Sequence, residues 1–240
     1  MKTFLTLDVV GILAALILGG LILVFGGLEA FFVLLFFLVI SAVVSRVGKA
    51  RKNRMKGYEM VRGWKNVLAN GAVPLVLSFA YFLIANFNFG PVGLAVLTQN
   101  CIIVGFIASV AAITADKFSS ELGIFDENVV MLVSLKRVHA GISGGVSVLG
   151  TVAGFVGALL VASFAVLLFL LGALSLPIAA VLILLVSLAG LVGDMVDSVA
   201  GYFEEKGLGN KFSSNILCAA SGALFGMAVF LLVSQVVYLM

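Results

Sequence analysis

Seven apolar stretches, each close to the length of a bilayer, leave this chain few ways to fold. They fall at roughly 5–25, 29–47, 66–86, 91–115, 144–171, 175–201 and 214–238. A helix needs about 20 apolar residues to cross the hydrocarbon core. No stretch alternates with a period of two, which argues against an outer-membrane barrel. Only 10% of the residues are charged, against about 25% in soluble domains. The expectation is an all-α polytopic membrane protein, with about seven transmembrane helices in a single integral-membrane domain over residues 1–240. The first stretch follows only Met1-Lys2-Thr3 and is long for a signal-peptide core, so it is read as a retained span.

Charge orients the bundle. All 14 Lys and Arg residues lie at Lys2 or in three polar loops, 46–65, 116–143 and 202–213, and eight of them lie between Arg46 and Lys65. The positive-inside rule makes these faces cytoplasmic. With seven spans the N-terminus is then cytoplasmic and the C-terminus outside, and the opposite connectors carry one charge, Glu29. The basic loop 46–65 serves topology and attracts anionic headgroups or phosphates. It has no nucleic-acid recognition motif. Cys101 and Cys218 sit in apolar segments without metal spacing and read as packing residues.

The polar residues near this face carry the candidate chemistry. Thr114 to Gly123 ends an apolar run and contains Asp116, Lys117, Ser119, Ser120 and Glu121. Ionisable groups at a membrane boundary are functional candidates. Asp116 and Glu121 are five apart and diverge on an ideal helix, so joint action on one ligand predicts a break near Lys117–Ser120. Arg62, Asn66 and Asn70, four apart, form a polar stripe opening the third span, with Arg62 placed for a phosphate. Lys136 and Arg137 precede Gly141-Ile142-Ser143-Gly144-Gly145-Val146-Ser147, read as the start of the fifth span and a weak anion site. His139 reads as a solvated loop residue. Asp194 and Asp197, three apart and flanked by glycine, need a cation, a proton or a basic partner. Mg²⁺ held with nucleotide phosphates is the leading candidate. Asn215 enters the last span and is positioned to face the same site.

Taken in order, Val67–Gly71, Ala115-Asp116 through Ser120-Glu121-Leu122-Gly123, Gly141–Ser147, Gly193-Asp194-Met195-Val196-Asp197-Ser198 and Asn215 resemble the integral-membrane family that contains plant phytyl-phosphate kinase. The resemblance covers roughly residues 60–230. It implies phosphorylation of an isoprenyl monophosphate to the diphosphate, with CTP or another nucleoside triphosphate as donor and Mg²⁺ as cofactor. Asn70, Asp116, Glu121, Gly144, Gly145, Asp197, Ser198 and Asn215 match the family's motif positions. Lys117-Phe118 and Ser143 depart from them, standing where Thr-Trp and Asn are expected. A looser likeness to dolichol kinases and CTP-dependent phosphatidate cytidylyltransferases lies in the glycine-rich loop and the Asp-x-x-Asp-Ser run.

These readings give an integral membrane enzyme, in the cell membrane if the source is prokaryotic, with its active site on the cytoplasmic side. Asp116, Glu121, Asp197 and Lys117 are the expected catalytic residues, and Asp116, Glu121, Asp194 and Asp197 the expected metal ligands. Asn70, Arg62, Ser120, Lys136, Arg137, Gly144, Gly145, Ser198 and Asn215 are the expected nucleotide or phosphate contacts. The partners are an isoprenyl phosphate lipid, a nucleotide and membrane lipids. The alternatives are a CTP-dependent polyprenol or lipid kinase, a cytidylyltransferase, and an ion-coupled transporter working through Asp194 and Asp197. Chain length, donor base and oligomeric state stay open.

Overall fold

The computed structural model describes residues 7–52, 62–87, 91–170 and 176–239. Much of the expected basic loop, residues 53–61, lies outside them. Six helices among the described residues are long and apolar enough to cross a membrane. They are α1 (Val9–Val44), α3 (Trp64–Asn86), α4 (Val92–Gly123), α5 (Val148–Leu170), α6 (Leu176–Glu204) and α7 (Lys211–Leu239); the short α2 spans Lys49–Lys52.

The expected first and second spans are continuous in α1, which reverses at Gly27. That residue has φ 81° and ψ −175°, a conformation open essentially to glycine alone. A straight helix of 36 residues would be about 54 Å long, yet both ends of α1 reach one place. The Asp8 N–H donates to the Arg62 carbonyl at 3.1 Å. Ser45, at the other end, donates to Glu121, and Arg62 lies 3.8 Å from the same carboxylate. Phe31 folds back beside Gly19. The two arms of α1 therefore run antiparallel.

α4 is the axis of the bundle. Every residue from Val104 to Ala115 is buried, which is expected of a helix that is apolar all round. Small residues bring its neighbours close. Gly193 on α6 and Gly222 on α7 both face the Ala112 methyl, and Gly226 faces Ala108. Helices in lipid associate through this kind of packing.

Three expectations change here. First, α4 does not stop at residue 115 or break near Lys117–Ser120; it is continuous to Gly123, so the expected loop 116–143 begins eight residues late. Ser119 and Ser120 return their hydroxyls to the carbonyls of Asp116 and Lys117, so the polar side chains do not compete the helix away. Second, the fifth span begins at Val148 rather than 144. Third, the remaining loop contains a small antiparallel sheet in the order β2-β1-β3. Its strands are β1 (Val129–Met131), β2 (Arg137–Val138) and β3 (Gly145–Val146). Val130 stands opposite Arg137 on one side and Val146 on the other. Gly145 is therefore a strand residue, and Gly144 the turn before it, not the start of a helix.

Candidate functional site

A cleft of about 1260 Å³ opens at the pole where α4 and α6 end and α3 and α7 begin. The sheet and the first turn of α5 supply another wall, and Asp8, ahead of α1, completes the rim. Two clusters of opposite charge balance line it.

The acidic cluster joins α4, α6 and α7. Asp194 and Asp197 lie one turn apart on α6 and are buried, at 2% and 6% exposure. Ser119, one turn beyond Asp116, donates to Asp194 Oδ1 at 2.7 Å. Lys211 Nζ donates to Asp197 Oδ2 at 2.7 Å and to Asp116 Oδ1 at 3.4 Å. Asp194 Oδ2, Asp197 Oδ1 and Asn215 Oδ1 are buried without a hydrogen-bond partner. Glycine makes the room for them: a Cβ on Gly154 of α5 would stand 3.0 Å from Asp194 Oδ2. Buried polar oxygens without partners are costly, so this arrangement calls for an additional positive group.

The second cluster is the reverse case. Glu121, 2% exposed, accepts from Lys52 Nζ at 2.6 Å, from Ser45 Oγ at 2.8 Å and from Lys117, one turn before it on α4. Arg62 Nη2 approaches to 3.8 Å. Lys52 is itself completely buried and also lies over the Phe125 ring. Three basic groups thus surround one carboxylate. Because α4 is unbroken through this stretch, Asp116 and Glu121 leave it about 140° apart, and Glu121 belongs to this basic cluster, not beside Asp116, Asp194 and Asp197 as a fourth metal ligand.

The other expected site residues divide. Arg62, Ser120, Gly144, Gly145, Ser198 and Asn215 line the cleft. Asn70 does not; its amide donates to the Asn66 carbonyl at 2.9 Å, and Asn66 takes the place on the wall. Lys117 is not on the wall; it bonds to Glu121, which is. Lys136 and Arg137 are exposed on the sheet, away from the cleft. The glycine loop is pressed onto α6: a Cβ on Gly144 would lie 2.6 Å from both the Ser198 carbonyl and the Tyr202 nitrogen, and Gly144 has φ 79°. Next to it, the Ser143 N–H donates to Glu205 at 3.1 Å and its hydroxyl to Glu204 at 3.0 Å. The start of α5 is also occupied. Asp126 accepts from the Leu149 N–H at 3.3 Å and Ser147 from the Gly150 N–H at 3.1 Å, leaving that helix end no role as an open anion site. Asp126, half-buried, takes hydrogen bonds from the N–H groups of Asn128 and Leu149, and these hold its carboxyl below the usual range.

Several participants were not expected from the chain. Lys211 neutralises part of the acidic cluster, Lys52 and Ser45 complete the basic one, and Asp8 accepts from the Gly11 N–H at 2.5 Å to cap α1 at the rim. Asp8 had a readable signal, an N-capping residue directly before an apolar run. Lys52 and Lys211 had none, because each is one lysine among several in a polar loop.

Among the described residues no three His, Cys, Asp or Glu side chains stand close enough for a ready-made metal site. The partnerless oxygens of Asp194, Asp197 and Asn215 are nevertheless hard donors of the kind Mg²⁺ takes. Lys211, 44% exposed, holds the position beside them from the end of a flexible side chain. The residues fit a cation that exchanges with that ammonium.

The family model described as integral membrane protein DUF92 matches residues 3–223. An uncharacterized membrane protein of Methanocaldococcus jannaschii is 34% identical over 226 residues, which cover 93% of this chain and 86% of that one. No solved structure matches the chain.

Proposed function

The chain belongs to the integral membrane protein family DUF92, and from that premise we propose that it is a Mg²⁺-dependent phosphotransferase. Its substrate is an isoprenyl monophosphate of the phytyl or geranylgeranyl type, its product the diphosphate, and its donor CTP or another nucleoside triphosphate. Counting the two arms of α1 separately gives seven crossings. The charge pattern supports an orientation with the N-terminus and the cleft on the cytoplasmic side and the C-terminus outside. The observation that carries the reading is the pair of buried, partnerless carboxylate oxygens on Asp194 and Asp197 in a cleft that also exposes Arg62.

In this reading Asp194, Asp197 and the Asn215 carbonyl hold Mg²⁺, with Asp116 beside them. The ion supplies charge neutralisation on the triphosphate. An oxygen of the acceptor monophosphate attacks the γ-phosphorus, the bond from that phosphorus to the β-phosphate bridging oxygen breaks, and the nucleoside diphosphate leaves. Such a reaction needs positioning and charge stabilisation more than covalent chemistry. Arg62 binds the acceptor phosphate, and Glu121 orients Arg62 and Lys117. Lys211 follows the transferred phosphoryl group. The acceptor is already anionic, so no general base is required.

The test is purified protein with geranylgeranyl or phytyl phosphate, Mg²⁺ and each γ-labelled nucleotide in turn. Labelled lipid diphosphate is the expected product, and its absence with every donor overturns the reading. CTP labelled in the base distinguishes a cytidylyltransferase, which leaves the nucleotide on the lipid.

A further inference from the structure

A second cavity, an apolar groove of about 380 Å³, lies between the outer face of the sheet and the first turns of α5. Val130, Leu132 and Val146 form its sheet side, and Val148 and Val152 its helix side. Val146, Ser147 and Thr151 line both this groove and the polar cleft, so the two spaces share a wall. At its other end the groove meets an exposed apolar stripe. Val148, Val152, Val156 and Leu160 recur every four residues along α5 at 78%, 57%, 43% and 42% exposure. Leu135 closes the groove from the tip of the β1–β2 turn. It is 77% exposed and, at φ 54°, has positive φ, alone among the described non-glycine residues. A large apolar side chain held there, in a conformation that β-carbon sterics disfavour, is suited to a hydrocarbon neighbour.

We infer that this groove is the berth for the hydrocarbon chain of a lipid phosphate whose head group occupies the cleft, and the route by which that chain enters from the bilayer. The inference rests on the proposed function for its amphiphilic ligand. The polar cleft offers the anionic head its charge partners, the groove is mostly apolar with only Asn128, Ser147 and Thr151 as polar neighbours and no charged one, and the exposed α5 stripe continues the apolar path. An amphiphile with an anionic head matches a polar and an apolar cavity joined side by side.

The probe is farnesyl phosphate carrying a diazirine at the end of its chain, photolysed with the full-length protein in nanodiscs. Peptides within residues 128–152 should carry the label, and unlabelled farnesyl phosphate should compete it away. Val152→Trp fills the groove from an exposed position and should reduce that labelling at least ~5-fold, with Val148→Trp as a second filling variant. Turnover of a five-carbon prenyl phosphate, too short to reach the groove, should be unchanged in both variants. Labelling confined to other helices and unaffected by either variant overturns the inference. Groove labelling without any diphosphate product leaves the berth standing and removes the kinase reading. Diphosphate formed at an undiminished rate from a long-chain substrate by Val152→Trp does the reverse.

Discussion

The two charged clusters in the cleft differ in one respect that separates framework from site. Around Glu121 three basic groups meet one carboxylate, and its oxygens are bonded from Lys52, Ser45 and Lys117. Around Lys211 two carboxylates, Asp116 and Asp197, meet one ammonium with Asp194 one turn away on α6, and one oxygen each on Asp194 and Asp197 has no partner. Glu121, Asp194 and Asp197 are all buried, but the cations differ: Lys52 is completely buried and Lys211 is 44% exposed. A saturated buried ion pair fixes neighbouring elements to one another, here α2 and the end of α1 to α4, and its loss leaves charges stranded. An unsaturated one carries a cost in the empty protein that a ligand removes. The excess positive charge of the first cluster, presented to the cleft through Arg62, complements a phosphate, and the excess negative charge of the second complements a metal.

The sharpest way to break this contrast is Glu121→Gln. Lys52 is completely buried, and removing its counter-charge should cost about 3–5 kcal/mol of stability. A large drop in the detergent-solubilised unfolding midpoint is the expected readout, partly restored by Lys52→Met in the same chain. A variant that unfolds at the wild-type temperature but is inactive would move Glu121 from framework to site.

Asp194→Asn and Asp197→Asn should give the opposite result. Each removes like charge from a crowded cluster, so the unfolding midpoint should stay or rise. Activity should fall at least ~100-fold, about 2.7 kcal/mol in the barrier. Stabilisation of the apo protein by Mg²⁺ alone, visible in wild type, should disappear. If both clusters respond with the same loss of stability, the distinction drawn between them fails.

Gly144→Ala tests how the loop depends on the acidic helix. Its backbone has positive φ, and a methyl group there meets the α6 backbone beside Ser198. The cost should be about 1–3 kcal/mol, seen as faster amide exchange over residues 141–146 and a moderate loss of activity. Loss of activity with unchanged exchange would give the glycine a direct phosphate contact instead of a packing role.

The spans were legible because hydropathy alone decides where a chain lies in a bilayer, and the reversal of α1 falls at the Gly26-Gly27 pair that separated the first two stretches. The divergence of Asp116 and Glu121 followed from helical periodicity. What misled was treating the end of hydropathy as the end of helix. Residues 116–123 are polar and still helical, since their hydroxyls bond back to carbonyls one turn earlier. The sheet was not legible, because strands of two and three residues carry no alternation to detect. Nor were Lys52 and Lys211, whose roles depend on which carboxylates the fold brings to them.

Asp126 supplies the finest test, as a third kind of carboxylate: one satisfied by neutral donors. Its oxygens take hydrogen bonds from the N–H groups of Asn128 and Leu149, joining the sheet to the start of α5 without any ion pair. Those bonds favour the charged form, so the folded-state pKa lies below the unfolded value. The sign follows from linkage: the contribution is full above the ordinary aspartate pKa of about 3.9 and is lost as pH falls from there through the depressed folded value. Protection of the Leu149 amide should therefore weaken only in that acidic window, and Asp126→Asn should remove the pH dependence. Added salt should leave the effect nearly intact, because the partners are backbone dipoles, whereas the rim pair of Lys211 and Asp116 should weaken with ionic strength. Equal salt sensitivity at both places would mean that Asp126 is held by charge after all, and that neutral capping does not anchor this wall of the cleft.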